Sequence, residues 1–281
     1  MIKNNILNNL TILVNTCDAY DDVLGIFFYA FKDYWPDCPY PVVINTESKN
    51  YSYSARVHHH TKQDGLDDWG ARLLSSLSTI DTDYVLMLYD DFILDAPVSN
   101  KRVENALLFL QSDPHSAVIY LVDTSLPLSV TDSDDDFIKL KDRVNYRLNS
   151  APAIWNKNVL INYTEKGDTP WAWEVFGTYR TWGDVKNFYA INPKHTSVYA
   201  YDHRKGGAIY RGKWVKEVVE LAAKKYPVHI DWSIRGFSSN NVLEKRSLRW
   251  IINFILTGYK MVGFRFLYFL SHYLRVKFYG H

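Results

Sequence analysis

Two adjacent carboxylates, Asp90 and Asp91, close the short apolar run Tyr84-Val85-Leu86-Met87-Leu88-Tyr89. A run of this length, rich in aliphatic and aromatic residues, reads as a buried strand of a parallel sheet. Acids at the carboxyl end of such a strand lie where open α/β sheets bind ligands. Paired there, they can hold a divalent cation through oxygen, and a diphosphate through the cation. The plain alternative is a strand that stops at a solvated turn.

A third carboxylate, Glu174, sits in Thr169-Pro170-Trp171-Ala172-Trp173-Glu174. Indole neighbours disfavour the charged carboxylate, which raises its pKa and suits it to general-base work. Asp168 is a second candidate, and a plain helix-terminus charge is the competing reading. Residues 201–214 interleave glycines with Arg204, Lys205, Arg211 and Lys213, a composition suited to closing over a diphosphate. Arg211 and Lys213, just before an expected helix, suit a phosphate at its N-terminus. Trp69 and Arg72 precede the carboxylate strand and are placed to meet a nucleotide's ring or phosphates, the latter through a bidentate fork. The triplet His58-His59-His60 suggests a metal, but neighbours on a strand face opposite ways, so it is assigned to structure or surface.

Alternating elements must position these groups. Residues 11–16 and 41–46 read as strands, with helical spacing over 22–34 between them. A helix over 71–80 feeds the carboxylate strand; a helix over 100–111 and a strand over 117–121 follow. This alternation predicts a parallel, doubly wound sheet built from right-handed crossovers. Residues 132–136 read as a solvated acidic loop. With 281 residues and 47% hydrophobic content, the chain can bury a sizeable core, as one large domain or a domain with an appendage. A net charge of +1 argues against a protein whose main partner is nucleic acid. Cys17 and Cys38 are read as reduced thiols, and residues 1–9 lack the pattern of a signal peptide, which favours the cytoplasm.

The end of the chain differs in character. From Arg246 the spacing is helical and aromatic-rich, with Arg249, Asn253, Lys260 and Arg275 on one face. Ile251, Ile255, Val262, Phe266, Phe269 and Tyr273 lie on the other, with a break expected near Gly258 or Gly263. No run of eighteen uncharged residues occurs here, which argues against a spanning helix. A basic-striped amphipathic helix suits the headgroup layer of an anionic membrane, or its apolar face packs on the domain.

Taken in order, the N-terminal βαβ half, the 64–72 loop and the strand ending in Tyr89-Asp90-Asp91 resemble GT-A glycosyltransferases. The likeness is to the family 2-like bacterial enzymes of lipopolysaccharide, O-antigen and capsule synthesis. Asn149-Ser150-Ala151-Pro152-Ala153-Ile154-Trp155, followed by Pro170-Trp171-Ala172-Trp173-Glu174, is similar to the segments that build the acceptor side in that group. The family's strand ends in Asp-x-Asp or Glu-Asp-Asp; here Tyr89 replaces the first acid, so metal use is an open question.

The resemblance covers about residues 11–214. It implies a Rossmann-like GT-A catalytic domain over 1–240, with a mixed, mainly parallel sheet, and an amphipathic helical appendage over 241–281. It implies transfer of sugar, with inversion, from a nucleotide-diphosphate donor to a glycan or lipid-linked acceptor, with Glu174 as base. Thr16, Asp18, Glu47, Trp69, Arg72, Asp90, Asp91, His203, Arg211 and Lys213 become donor-site candidates. Trp155, Trp171 and Trp173 become acceptor-site candidates. Asp90, Asp91 and His203 are the candidate ligands of a divalent cation, manganese or magnesium. The expected place is the inner face of the cytoplasmic membrane. Two rivals remain. A nucleotidyltransferase would need a basic Gly-rich loop after the first strand, where Cys17-Asp18-Ala19-Tyr20-Asp21-Asp22 is acidic. A non-catalytic, membrane-peripheral glycan-binding or scaffold protein leaves the order of these motifs without a reason.

Overall fold

The computed structural model describes residues 9–59, 68–202, 206–228, 230–238 and 247–279. Its centre is one eight-stranded sheet. The strands are β1 (Leu10–Asn15), β2 (Val42–Thr46), β3 (Arg56–His59), β4 (Tyr84–Tyr89), β5 (Ser116–Tyr120), β6 (Phe137–Lys139), β7 (Ala153–Asn156) and β8 (Asn187–Ile191), in the order β3-β2-β1-β4-β7-β5-β8-β6. Pairing is parallel from β3 through β4 and between β5 and β8; β7 runs antiparallel to both its neighbours, and β6 antiparallel to β8. The α/β class with a mixed, mainly parallel sheet is therefore as expected. The purely parallel reading is corrected at β6 and β7, whose three and four residues are too short to show a period in sequence.

Alternation within the strands sorts their side chains into two layers. In β4, Leu86 and Leu88 join the core beneath α1 (Asp21–Tyr34) and α3 (Asn100–Ser112), while Val85 and Met87 join the opposite one beneath α2 (Trp69–Ser78). Every residue of β1 is buried, as a central strand covered on both faces requires. Two short helices, α4 (Lys157–Tyr163) and α5 (Pro170–Val175), extend the second layer. Thr169 caps α5 by accepting from the Ala172 amide (3.2 Å), and Pro170 opens its first turn, where a missing N–H costs no helical bond.

Beyond β8 a two-stranded hairpin, β9 (Ile209–Tyr210) and β10 (Lys213–Trp214), leads to α6 (Lys216–Lys225) and α7 (Trp232–Arg235). The last described segment, expected as an appendage, is a pair of helices, α8 (Leu248–Val262) and α9 (Phe266–Tyr279), broken at Gly263 with φ +55°. Gly258, the other expected break, lies inside α8 and is buried: a Cβ there would stand 2.5 Å from Phe266 and 2.7 Å from Phe176. It marks the close approach of the appendage to the domain, through Phe254, Phe266 and Phe269 around Phe176. Ile251 and Ile255, expected on the same face as Phe266, are instead exposed. Among the described residues, no helix is long and apolar enough to cross a membrane.

Candidate active site

β1 and β4 are parallel, so Asn15, at the end of β1, and Tyr89, at the end of β4, meet at one edge of the sheet, paired in register. Because β7 is antiparallel to β4, its amino end arrives at that same edge and delivers Asn149, Ser150 and Ala151 there. Helix α5 adds Trp171 and Glu174, α2 adds Trp69 and Arg72, and the β9–β10 hairpin adds Tyr210, Arg211 and Gly212. Together they line a cleft of about 640 Å³ at the carboxyl edge, the place where open α/β sheets take ligands.

The carboxylates in the cleft are electrostatically distinct. Asp90 is buried and accepts a hydrogen bond from the Thr16 hydroxyl. Burial pushes its pKa up to about 7, against the opposing effects of Thr16 and Arg235. Asp91 is raised well above the usual carboxylate range by burial and then by the Asp90 charge. Glu174 is also raised by burial, opposed by hydrogen bonds from Ser150, whose amide donates to Oε1 at 2.6 Å. Tyr89, in the position of the missing acid, has its hydroxyl pKa raised by burial and by the Glu174 and Asp91 charges. Cys17 is pushed up to about 11 by burial and Asp90, so its thiol stays protonated.

Cations face these acids. Arg72 pairs with Glu47 at 3.3 Å and lines the cleft. Arg211 and Gly212 form the two-residue turn of the β9–β10 hairpin, both with positive φ (53° and 77°), the geometry that follows strand twist. The turn holds Arg211 at the cleft, its guanidinium 5.3 Å from the Tyr210 ring. Gly207 (φ +123°) packs so tightly on Asp91 that a Cβ would meet the Asp91 carbonyl at 2.7 Å, and the adjacent Ala208 amide donates to that carbonyl (2.9 Å). The glycines of the 201–214 segment thus seat a basic hairpin against the paired acids.

The remaining expectations divide. Thr16, Trp69, Arg72, Asp90, Asp91, Trp171, Glu174 and Arg211 line the cleft. Trp155 and Trp173 do not: both are fully buried, 5.9 Å apart, and the Trp173 indole N–H donates to the Tyr163 carbonyl. They are core residues, because a Trp on a central strand and another on the inner face of α5 point into the layer between them. Asp18 accepts from the Ser48 and Lys49 amides (3.0 and 3.2 Å), so it ties the turn after β2 and lies outside the cleft lining. Glu47 accepts from the Asp18 amide (3.0 Å) and reaches the cleft only through Arg72. Lys213 is exposed on β10, and α6 begins at Lys216, so neither Arg211 nor Lys213 caps a helix. Asp168 forms a buried, two-pronged ion pair with Arg180 (2.6 and 2.8 Å) and is structural. His203 lies outside the described residues, as do Arg204 and Lys205.

Sequence reasoning missed Tyr20, Tyr201 and Asn149 as cleft residues, and Arg235 behind them. Arg235 pairs with Asp22 (Nε to Oδ2, 3.0 Å) and lies 4.7 Å from the Tyr20 ring, which it holds at the cleft wall. More than 200 positions separate the pair, so no local spacing could reveal it.

Among the described residues no group of three or more His, Cys, Asp or Glu is arranged to hold a metal. Asp90 and Asp91 nevertheless fit a hard cation: they are two adjacent carboxylates, both destabilised in charged form by burial. Magnesium-type sites with one or two carboxylates take their other oxygens from substrate phosphate and water.

Neither a family model nor a curated protein matches the chain. The chain is distantly similar to several solved structures. S. aureus TarS in complex with UDP-GlcNAc is 12% identical, with 90% of this chain and 80% of that one covered and a TM-score of 0.48. CMP:2-keto-3-deoxy-manno-octonic acid synthetase complexed with CTP is 14% identical over 78% of this chain and 100% of that one, with a TM-score of 0.46. An active-site mutant of LgtC is 12% identical over 54% and 59%, with a TM-score of 0.34.

Proposed function

We infer that the protein is a glycosyltransferase that moves a sugar from a nucleotide-diphosphate donor to a glycan or lipid-linked glycan. The observation that carries this reading is the meeting, in one cleft, of a base-like carboxylate, a paired-acid strand end and two arginines. Arg72 and Arg211 are suited to bind the diphosphate and offset the charge that grows on it as the glycosidic bond breaks. Glu174, raised by burial yet oriented by the Ser150 amide, accepts the proton of the acceptor hydroxyl as that oxygen attacks the anomeric carbon. Attack opposite the leaving diphosphate inverts the configuration. Asp90 and Asp91 would hold a divalent cation, manganese or magnesium, which when bound adds positive charge beside the diphosphate.

The acceptor side is the wall formed by Trp171, Glu174 and residues 149–151. We place the protein at the inner face of the cytoplasmic membrane, in synthesis of surface polysaccharide such as lipopolysaccharide, O-antigen or capsule. The support for this is the exposed apolar side chains of α8 and α9, with Arg249 and Lys260 exposed on α8. A thermal-shift panel of UDP, GDP, CMP, dTDP and their sugar conjugates, with and without manganese, tests the reading. One nucleotide should raise Tm. Stabilisation by none of them in either condition refutes a nucleotide-sugar transferase.

A further inference from the structure

Trp171 is unlike the other indoles of the α5 region. Trp155 and Trp173 are wholly buried, whereas Trp171 is 45% exposed and lines the cleft. It lies three residues before Glu174 on the same short helix, so the two side chains project over one face. Away from the cleft, its ring packs on the appendage: Phe254 at 4.8 Å and Trp250 at 5.6 Å. Trp250 is itself stacked on Phe254 (5.1 Å, 12°) and only partly buried. The result is an aromatic shelf from the cleft wall beside Glu174 onto α8, made by two segments about 80 positions apart.

We propose that this shelf, Trp171 with Trp250, is a saccharide-binding subsite that takes a pyranose ring of the acceptor, so that the C-terminal appendage forms part of the acceptor site. The inference rests on the glycosyltransferase reading of the cleft. An indole face is electron-rich, and the C–H groups on one face of a pyranose are weakly positive, so the two attract on contact. The rim hydroxyls of a ring on the shelf point outward, one of them toward the cleft and Glu174. Phe254 packs against both indoles, 4.8 Å from Trp171 and 5.1 Å from Trp250, and so ties the two together. Buried core packing alone would favour an apolar residue at position 171 but would not leave nearly half of it open at a cleft.

Saturation-transfer NMR tests this with the full chain, using methyl glycosides of glucose, galactose and N-acetylglucosamine as probes. The nucleotide panel is recorded in parallel. Trp250→Leu keeps apolar bulk against Phe254 and removes the aromatic face; Trp250→Phe keeps a smaller one. Saturation of at least one glycoside should fall about fivefold in Trp250→Leu and Trp171→Leu, and recover in part in Trp250→Phe. Nucleotide signals should be unchanged in both Trp250 variants, because Trp250 lies outside the cleft lining. Equal glycoside saturation in wild type and both leucine variants overturns the shelf. So does nucleotide binding without saturation of any glycoside, and that result leaves the donor reading intact. Absence of both signals overturns the shelf and the donor reading together.

Discussion

At the residue scale, Glu174 as the proposed base must be ionised to accept a proton, yet its surroundings oppose ionisation. Burial raises its pKa, and the Ser150 hydrogen bonds pull it only part of the way back. The base therefore fails as pH falls through a value above the usual carboxylate range. In rate terms, kcat/KM is expected to drop on the acid side with a midpoint above that of an ordinary glutamate. Glu174→Gln should lower transfer by about 10²–10⁴-fold and leave the nucleotide-induced Tm shift in place. Loss of that shift in a folded variant would move Glu174 from base to donor ligand. Asp90 gives a second test, read in stability. Its folded pKa near 7 lies above the unfolded value near 4, so its stabilising contribution is complete below pH 4 and disappears as pH rises through 7. Asparagine can still accept from Thr16 without carrying charge. Measured with chelator present, the Tm of Asp90→Asn relative to wild type should rise between pH 5 and pH 8, by several degrees for a gain of roughly 2–3 kcal/mol. A difference that does not change with pH would show that Asp90 is not destabilised in charged form.

At the scale of elements, the sequence was most legible where one period runs long. The 22–34 helix and the 84–89 strand emerge within a residue of their expected bounds, because each has a single buried face or is buried throughout. The short strands β6 and β7 were hidden, and β7 decides which residues face Glu174. The motif containing Trp155 was read as acceptor-binding, but its indole points into the core, since alternation along β7 sends Ile154 and Trp155 to opposite layers. The sequence points to Arg211 by its charge, its glycine neighbours and an expected helix start, but the helix begins only at Lys216, and the two-residue hairpin that aims Arg211 needs the positive-φ pair at 211 and 212. Gly258 shows a similar limit, for it looked like a helix breaker and is a packing site. Gly258→Ala gains about 1 kcal/mol in helix propensity. It also drives a methyl within 2.7 Å of two buried rings, and such overpacking costs about 1–3 kcal/mol. The clash should win, because Phe176 is fully buried and Phe266 nearly so. Limited proteolysis should then cut the chain ahead of α8 faster than in wild type, while the nucleotide-induced Tm shift persists. Unchanged proteolysis would mean that the rings yield freely.

At the scale of the whole molecule, α8 has two apolar faces where a surface helix normally has one. One face, with Trp250, Phe254, Gly258 and Met261, lies on the domain. The other carries Leu248, Ile251, Ile252, Ile255, Leu256 and Tyr259 at helical spacing, all exposed, and Phe264 and Leu267 continue it beyond the break. Between residues 248 and 279 there are five Lys or Arg and no Asp or Glu. A second copy of the chain would cover an apolar stripe but would meet the same positive charge; an anionic bilayer satisfies both features. Burying a single large apolar side chain gains about 1.5–3 kcal/mol, and each cation near an anionic surface about 1 kcal/mol. The protein should therefore cosediment with phosphatidylglycerol vesicles, less with phosphatidylcholine, and less again as salt rises. Leu256→Glu, placed mid-stripe and away from the cleft lining, should release it by at least tenfold while the nucleotide-induced Tm shift stays. Light scattering separates the rival: a concentration-dependent dimer that Leu256→Glu dissolves, with no vesicle binding by the wild type, would assign the stripe to self-association. Vesicle binding by a monomer would put the α5 wall and its Trp171–Trp250 shelf beside the lipid surface, because α8 joins the two by direct ring contact. A lipid-linked acceptor would then meet the cleft without leaving the bilayer.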